Sequence, residues 1–196
     1  MRRIRLGDVF CIKLTNGYKL LQWAYDIPRR GLFMRVFPGL FDSIPENIEG
    51  IVRGEHSYII SARIRRMYRI GLVEFLANYP VPDKYPFPQY NLEICMDQNG
   101  KVYEILFLET NPNVSAGQFG FDASSMKELP PEYQEIKLLN GYFSPAFMFY
   151  LFDYDFDLKD LSRFRPQNVL GDTWKEKLDE YIRIVETAET NAKEKQ

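Results

Sequence analysis

The chain has 196 residues, 45% of them hydrophobic and 15% aromatic. That is enough apolar surface for one buried core, or for two small ones sharing an interface, and it excludes a disordered chain, which needs low hydrophobicity and high net charge. The net charge of −2 hides a division: residues 1–90 carry 14 Lys+Arg against 8 Asp+Glu, and residues 91–196 carry 11 against 19. Such a split gives either two surfaces with different electrostatic roles or two halves that neutralise each other across an interface.

Asp8 to Leu14 reads as a strand, with Val9 and Cys11 alternating with Phe10, Ile12 and Leu14. Thr15-Asn16-Gly17 follows, and Asn-Gly suits a tight hairpin because both residues tolerate positive φ. Tyr18 to Tyr25 returns as a second strand, Ile27 to Gly31 turns again, and Leu32 to Phe37 is a third, so the start is an antiparallel meander. Pro38 to Gly54 is loop-like, and Tyr58 to Leu76, apolar and basic by turns, fits either strand or helix. Tyr79 to Pro88 holds Pro80, Pro82, Pro86 and Pro88, which excludes regular helix or central strand. That segment is a linker or an extended strap, and it sets the boundary between a strand-rich domain at 1–90 and an acidic α+β half at 91–196 packed against it.

In the second half, Asn91 to Met96 and Lys101 to Leu108 form another hairpin around Asn99-Gly100. Each half thus has a strand, an Asn-Gly turn and a return strand, with a cysteine near the same place, a pattern that admits an internal repeat. Thr110 to Asp122 reads as loop, and Pro130-Pro131 opens a short helix through Leu139, closed by Asn140-Gly141. Ser144-Pro145 resembles a helix start, yet Phe152 to Asp157 alternates with period two. Last, Trp174, Leu178, Tyr181, Ile182 and Val185 sit at helical spacing behind a Thr173–Glu176 capping box, and the polar tail from Thr187 is expected to fray. The fold class is therefore α+β and strand-rich: an antiparallel meander or partly open barrel with a C-terminal amphipathic helix.

Candidate chemistry is sparse. Cys11 and Cys95 lie in apolar alternating runs and read as buried thiols, too few for a disulfide framework and without a zinc spacing. The one histidine, His56, cannot build a His-rich metal centre; as a general base it would need a carboxylate such as Glu55 or Glu74. No nucleophile elbow, P-loop or dinucleotide fingerprint is present. Asp153-Tyr154-Asp155-Phe156-Asp157 begins like an EF-hand loop, but Leu158 stands where glycine is required and Phe164 where the bidentate Glu belongs, so no metal site is expected. If that run is a strand, its three aspartates share one face, either solvated or turned to a basic partner. Asp153, Asp155, Asp157 and Tyr154 are the candidate partner-binding residues. Arg63, Arg65, Arg66 and Arg69, interleaved with Tyr68, resemble the mix of cations and stacking aromatics that binds RNA, although the acidic pI argues against nucleic acid. No cofactor is expected. Behind the N-terminal arginines there is no apolar segment of the signal-peptide kind, and no apolar run is long enough to span a membrane, so a cytoplasmic protein is expected.

Gly7-Asp8-Val9-Phe10-Cys11-Ile12-Lys13-Leu14, with Asn16-Gly17-Tyr18 behind it, resembles the opening of the bacterial immunity protein 26 family. Leu32 to Phe37 is similar to that family's third strand, and Leu76-Ala77-Asn78-Tyr79-Pro80 leading into Pro86-Phe87-Pro88 is similar to its closing proline-bearing segment. The resemblance covers residues 5–90. It implies an antitoxin of a polymorphic toxin system, which binds a toxin's catalytic domain and blocks it. An organophosphate-hydrolysing protein has been grouped with the same family, so the resemblance also carries a small phosphotriester hydrolase as its second implication, and an RNA-binding module is the third reading.

Overall fold

The computed structural model describes residues 2–27, 31–88, 90–96, 102–109, 119–122, 138–140, 144–156 and 169–194. Strands β1 (Asp8–Leu14), β2 (Gly17–Ile27) and β3 (Gly31–Val36) pair antiparallel in sequence, as their alternation requires. Helix α1 (Ile48–Arg53) leads to β4 (Tyr58–Ser61) beside β3, and α2 (Ile64–Arg69) leads to β5 (Glu74–Asn78), which returns to the far side of β1. The result is an open five-stranded antiparallel sheet in the order β5-β1-β2-β3-β4. It continues through β9 (Leu138–Asn140), parallel to both β4 and β6 (Tyr90–Met96), and then β7 (Val102–Glu109) and β8 (Phe119–Asp122). Helices α3 (Pro145–Asp153) and α4 (Trp174–Glu194) complete an α+β, strand-rich fold.

Side-chain alternation sorts β1–β4 between two faces. Phe10, Ile12, Leu21, Met34, Val36 and Ile60 join α3 and Tyr181 of α4 in the main core, so this core crosses residue 90. Val9, Cys11, Leu20 and Phe37 turn to the other face, where Val52 of α1 covers them; Phe33 and Ile59 form a small cluster with Phe87. The proline-rich segment supplies that second cover. Between Asn78 and Tyr90 the chain passes from the β5 edge to β6, six strand positions away in twelve residue steps. At ~4.8 Å per position the crossing is ~29 Å, against ~37 Å for twelve steps of polyproline II, so the segment is largely drawn out, with room for one turn in which the Tyr85 N–H donates to the Pro82 carbonyl at 3.0 Å. Proline holds it there, and the segment is a strap over the sheet.

Several expectations change. The first hairpin closes with Leu14 opposite Gly17, and of its turn residues only Gly17 has positive φ, at +144°. A Cβ there would meet the Phe41 carbonyl oxygen at 2.7 Å, where Phe41 bridges to Tyr18. The 38–54 loop contains α1, started by the Asn47 side chain accepting from the Gly50 N–H at 2.9 Å. Tyr58 to Leu76 is strand, helix and strand in turn. Leu138–Asn140, read as a helix end, is β9, because the slot between β4 and β6 takes a strand; Phe119–Asp122, read as loop, pairs with β7. Thr173 sits in a 3-10 turn that runs straight into Trp174, so the expected cap position lies inside a continuous helical run, and its hydroxyl donates to the Leu170 carbonyl at 2.8 Å. Beyond Thr187 the chain is still helical to Glu194, where Glu189 pairs with Arg66 at 2.5 Å.

The acidic run is helix and turn. The Ser144 hydroxyl caps α3 by accepting from Phe147 N–H at 3.2 Å, and every α3 residue after Pro145 is buried. A helix covered by the sheet on one side and α4 on the other tolerates apolar residues all round, which overrides the period-two pattern. α3 ends at Asp153, and Asp155 turns the chain with φ +44°. Asp157, the turns at 28–30 and 97–101, and the 130–137 segment lie outside the described residues.

Candidate functional site

Beneath the strap lies a polar centre built on two neighbouring strands. The β2–β3 register places Gln22 opposite Arg35, both turned away from the main core. Arg35 is wholly buried. Its Nη1 donates to Gln22 Oε1 at 2.8 Å and to the Val52 carbonyl at 2.9 Å, its Nη2 to the Gly54 carbonyl at 2.9 Å, and its Nε to His56 Nδ1 at 3.3 Å. Val52 and Gly54 sit at the end of α1, so the guanidinium satisfies carbonyls that the helix leaves open. The Tyr85 ring covers it at 4.4 Å and Phe37 at 5.0 Å. Burial pulls the Arg35 pKa below its ordinary value, with Tyr25 and Tyr85 opposing.

The strap is fastened around this centre. Gln22 Nε2 donates to the Tyr79 carbonyl at 2.9 Å, and the Tyr25 hydroxyl to the Tyr85 carbonyl at 2.6 Å. Phe87 stands edge-on between Tyr25 at 5.2 Å and Phe33 at 5.1 Å. Burial raises the Tyr25 hydroxyl pKa, against the pull of Arg35. His56 is 6% exposed, edge-on to Tyr85 at 5.0 Å, and its Nδ1 lone pair is taken by Arg35. A base role would require that bond to be released. Of the carboxylates named with it, Glu55 is exposed beside it in the chain, whereas Glu74 lies on β5, four strand positions from β4.

The candidate partner residues divide. Asp153 is 2% exposed; its carboxylate accepts from the Asn16 N–H at 2.9 Å and from the Tyr181 hydroxyl, joining the first hairpin to α4 through α3. Asp155 is 47% exposed and takes the ammonium of Lys19, which is 1% exposed and also donates to the Gly39 carbonyl at 3.1 Å. Burial pulls the Lys19 pKa down, and Asp155 opposes it. Tyr154, half-buried, tilts on Tyr150 at 5.3 Å; burial first, then Asp153, raises its hydroxyl pKa. Asp153 therefore does not share an exposed face with Asp155.

The basic run is partly absorbed. Arg65 lies 3.7 Å from Asp26 and covers the Trp23 ring at 5.1 Å; Arg66 pairs with Glu189. Tyr68 packs edge-on to Phe10 at 5.9 Å, so its ring serves the core. Arg63 and Arg69 are exposed at the two ends of α2. Beside α4, Gly71, Leu72, Glu180, Ile184 and Ala188 line a shallow groove of about 470 Å³. Lys177 pairs with Glu180 at 2.7 Å on the flank of this groove, and the charges of both bear on the Tyr154 hydroxyl in the turn after α3. Among the described residues, no group of three or more His, Cys, Asp or Glu is placed to hold a metal, and no helix is long and apolar enough to cross a membrane.

Sequence reading missed Gln22, Arg35, Lys19 and Tyr181 as anchors. A signal existed for two: Lys19 and Arg35 each interrupt a largely apolar strand, which implies an internal partner. No family model, curated protein or solved structure matches the chain.

Proposed function

We propose that the chain is an immunity-type binding protein that neutralises a cognate bacterial toxin domain in the cytoplasm by occupying its surface. The resemblance of residues 5–90 motivates the reading. The structural observation that supports it is that, among the described residues, the ionisable groups at the polar centre and in the aspartate run are engaged inside the fold: His56 with Arg35, Asp153 with Tyr181 and Asn16, Lys19 with Asp155. Groups used in this way stiffen a scaffold and leave recognition to its outside. The contact strip is the turn carrying Tyr154 and Asp155 together with the groove flank at Glu180 and Ile184, the latter 42% exposed. An apolar centre inside a charged rim has the anatomy of a small interface.

The test is co-expression with a toxin domain, sought first among the reading frames next to this gene. Cells should survive only when the chain is present, and the two proteins should co-purify. Ile184→Asp or Tyr154→Ala should weaken protection while the melting temperature stays within a few degrees of wild type. Equal killing with and without the chain would end the proposal.

A further inference from the structure

We propose that the groove between α4 and the turn after α2 holds one acidic, amphipathic helix of a protein partner. The inference rests on the binding reading above and adds the chemistry of what is bound. Glu180, Arg183, Ile184, Thr187, Ala188 and Asn191 line the groove from α4. Those positions advance by three or four residues at a time, so they form one stripe down the helix. The stripe is ~16 Å long, about three helical turns. Gly71 and Leu72, just beyond α2, form the facing wall, and a Cβ on Gly71 would meet nothing within 4 Å, so the wall is open there. The lining is apolar at Leu72, Ile184 and Ala188, and Ile184 is left 42% exposed.

Charge sets the sign of the occupant. On the stripe, Glu180 is neutralised by Lys177 at 2.7 Å, whereas Arg183 is exposed and has no ion pair or hydrogen bond among the described residues. The carboxylate of Glu186 lies ~160° round the helix from Ile184, on the far side of α4. On the facing side, α2 and its N-cap bring Arg63, Arg65, Arg66 and Arg69, and no acid. Arg65 pairs with Asp26 and Arg66 with Glu189; Arg69, two residues before Gly71, is exposed and likewise unpaired among the described residues. The free charges beside the groove are therefore cations, and the complementary partner carries carboxylates along an apolar row. Hydrogen bonding sets its form. The lining comes from a helix and a turn and includes no strand residue, so an extended segment lying over it would leave backbone N–H and C=O groups unpaired. A helix satisfies its own. Nucleic acid would meet the cations, but Tyr68, the aromatic of α2, is turned onto Phe10 and offers no base a stacking face.

Fluorescence anisotropy on the full chain tests this with three labelled probes. They are a stapled helix of about fifteen residues with a leucine row flanked by glutamates, the same helix with lysines for the glutamates, and a short single-stranded RNA. The acidic helix should bind about tenfold more tightly than the lysine helix, and more weakly as salt rises. Arg183→Glu should weaken the acidic helix by about tenfold and strengthen the lysine helix, and Ile184→Asp should abolish binding. Both variants should melt within a few degrees of wild type, because both side chains are exposed. Equal binding of the two helices, binding of neither, or tighter binding of the RNA would overturn the proposal. So would a concentration-dependent dimer that Ile184→Asp dissolves, which would make a second copy the occupant. The co-expression test is read separately: protection without helix selectivity sinks this inference alone, and equal killing beside selective helix binding sinks the toxin reading and leaves the groove's occupant standing.

Discussion

Asp153→Ala removes a carboxylate that the first hairpin and α4 share. The Tyr181 hydroxyl would lose its acceptor inside the core, and the Asn16 N–H would lose its acceptor in a half-buried bond. Each stranded donor costs ~1–3 kcal/mol, so the substitution should destabilise the fold by ~3–5 kcal/mol. For a chain of this size that is a drop of ~8–15 °C in melting temperature. Asp153→Asn keeps the volume and one acceptor oxygen and should cost ~1–2 kcal/mol. Tyr181→Phe should cost ~1.5–3 kcal/mol, since a charged acceptor loses a donor. Because the two side chains bond each other, the double variant Asp153→Ala with Tyr181→Phe should fall short of the summed single costs by ~1–2 kcal/mol. Urea unfolding at pH 7 measures all four. A change within ~0.5 kcal/mol for Asp153→Ala, or additive single costs, would refute the view that this carboxylate latches α4 to the sheet. The same variants separate scaffold from contact: Asp153→Asn should alter stability and leave toxin affinity per folded molecule unchanged.

Tyr181 also sets an alkaline limit. Burial, and after it the bond to Asp153, holds its hydroxyl well above the ordinary phenol range. The folded state therefore keeps a proton that the unfolded chain releases near pH ~10; stability is flat below about pH 9 and falls as pH rises past about 10. Urea midpoints should show that fall, and Tyr181→Phe should flatten it; an identical slope in the variant would contradict the assignment. Asp155→Ala leaves the Lys19 ammonium with the Gly39 carbonyl as its hydrogen-bond acceptor and should cost ~1–3 kcal/mol, at the low end because Asp155 is half exposed. Lys19→Met, which removes the buried charge and keeps its length, should stay within ~1 kcal/mol of wild type, and a larger loss by denaturant titration would show that the pair contributes more than it costs to bury. Gly17→Ala places a Cβ 2.7 Å from the Phe41 carbonyl at a φ of +144° and should lower stability by ~2 kcal/mol or more in a thermal melt.

The meander was legible because two signals agreed: alternation in Asp8–Leu14 and Leu32–Phe37, and a glycine at the first turn. The strap was legible because four prolines permit few conformations. What failed was non-local. Leu138–Asn140 is a strand only because β4 and β6 stand at its sides, and Phe119–Asp122 only because β7 does. The aspartate run misled for a related reason: period two implies a half-exposed strand, and the covers on both sides of α3 removed the exposed half. The candidate site was legible in one residue of its centre, His56, and in its anchor only as a charge set in an apolar strand, because nothing local says that Arg35 meets the end of α1 seventeen residues on.

The strap connects these observations. It joins the two halves, covers the second face of the sheet and places Tyr85 on Arg35, so one irregular segment closes the polar centre. Its outer part is held by the Tyr25 hydroxyl bond and by the rings of Tyr85 and Phe87. Those contacts together are worth ~3–5 kcal/mol, below the ~5–15 kcal/mol of a typical global unfolding. Local opening is thus rarer than the closed state by a factor of about a hundred to a few thousand, yet commoner than unfolding. A centre sealed on that scale keeps Arg35 dry in the closed state, while the strap can open without dismantling the sheet.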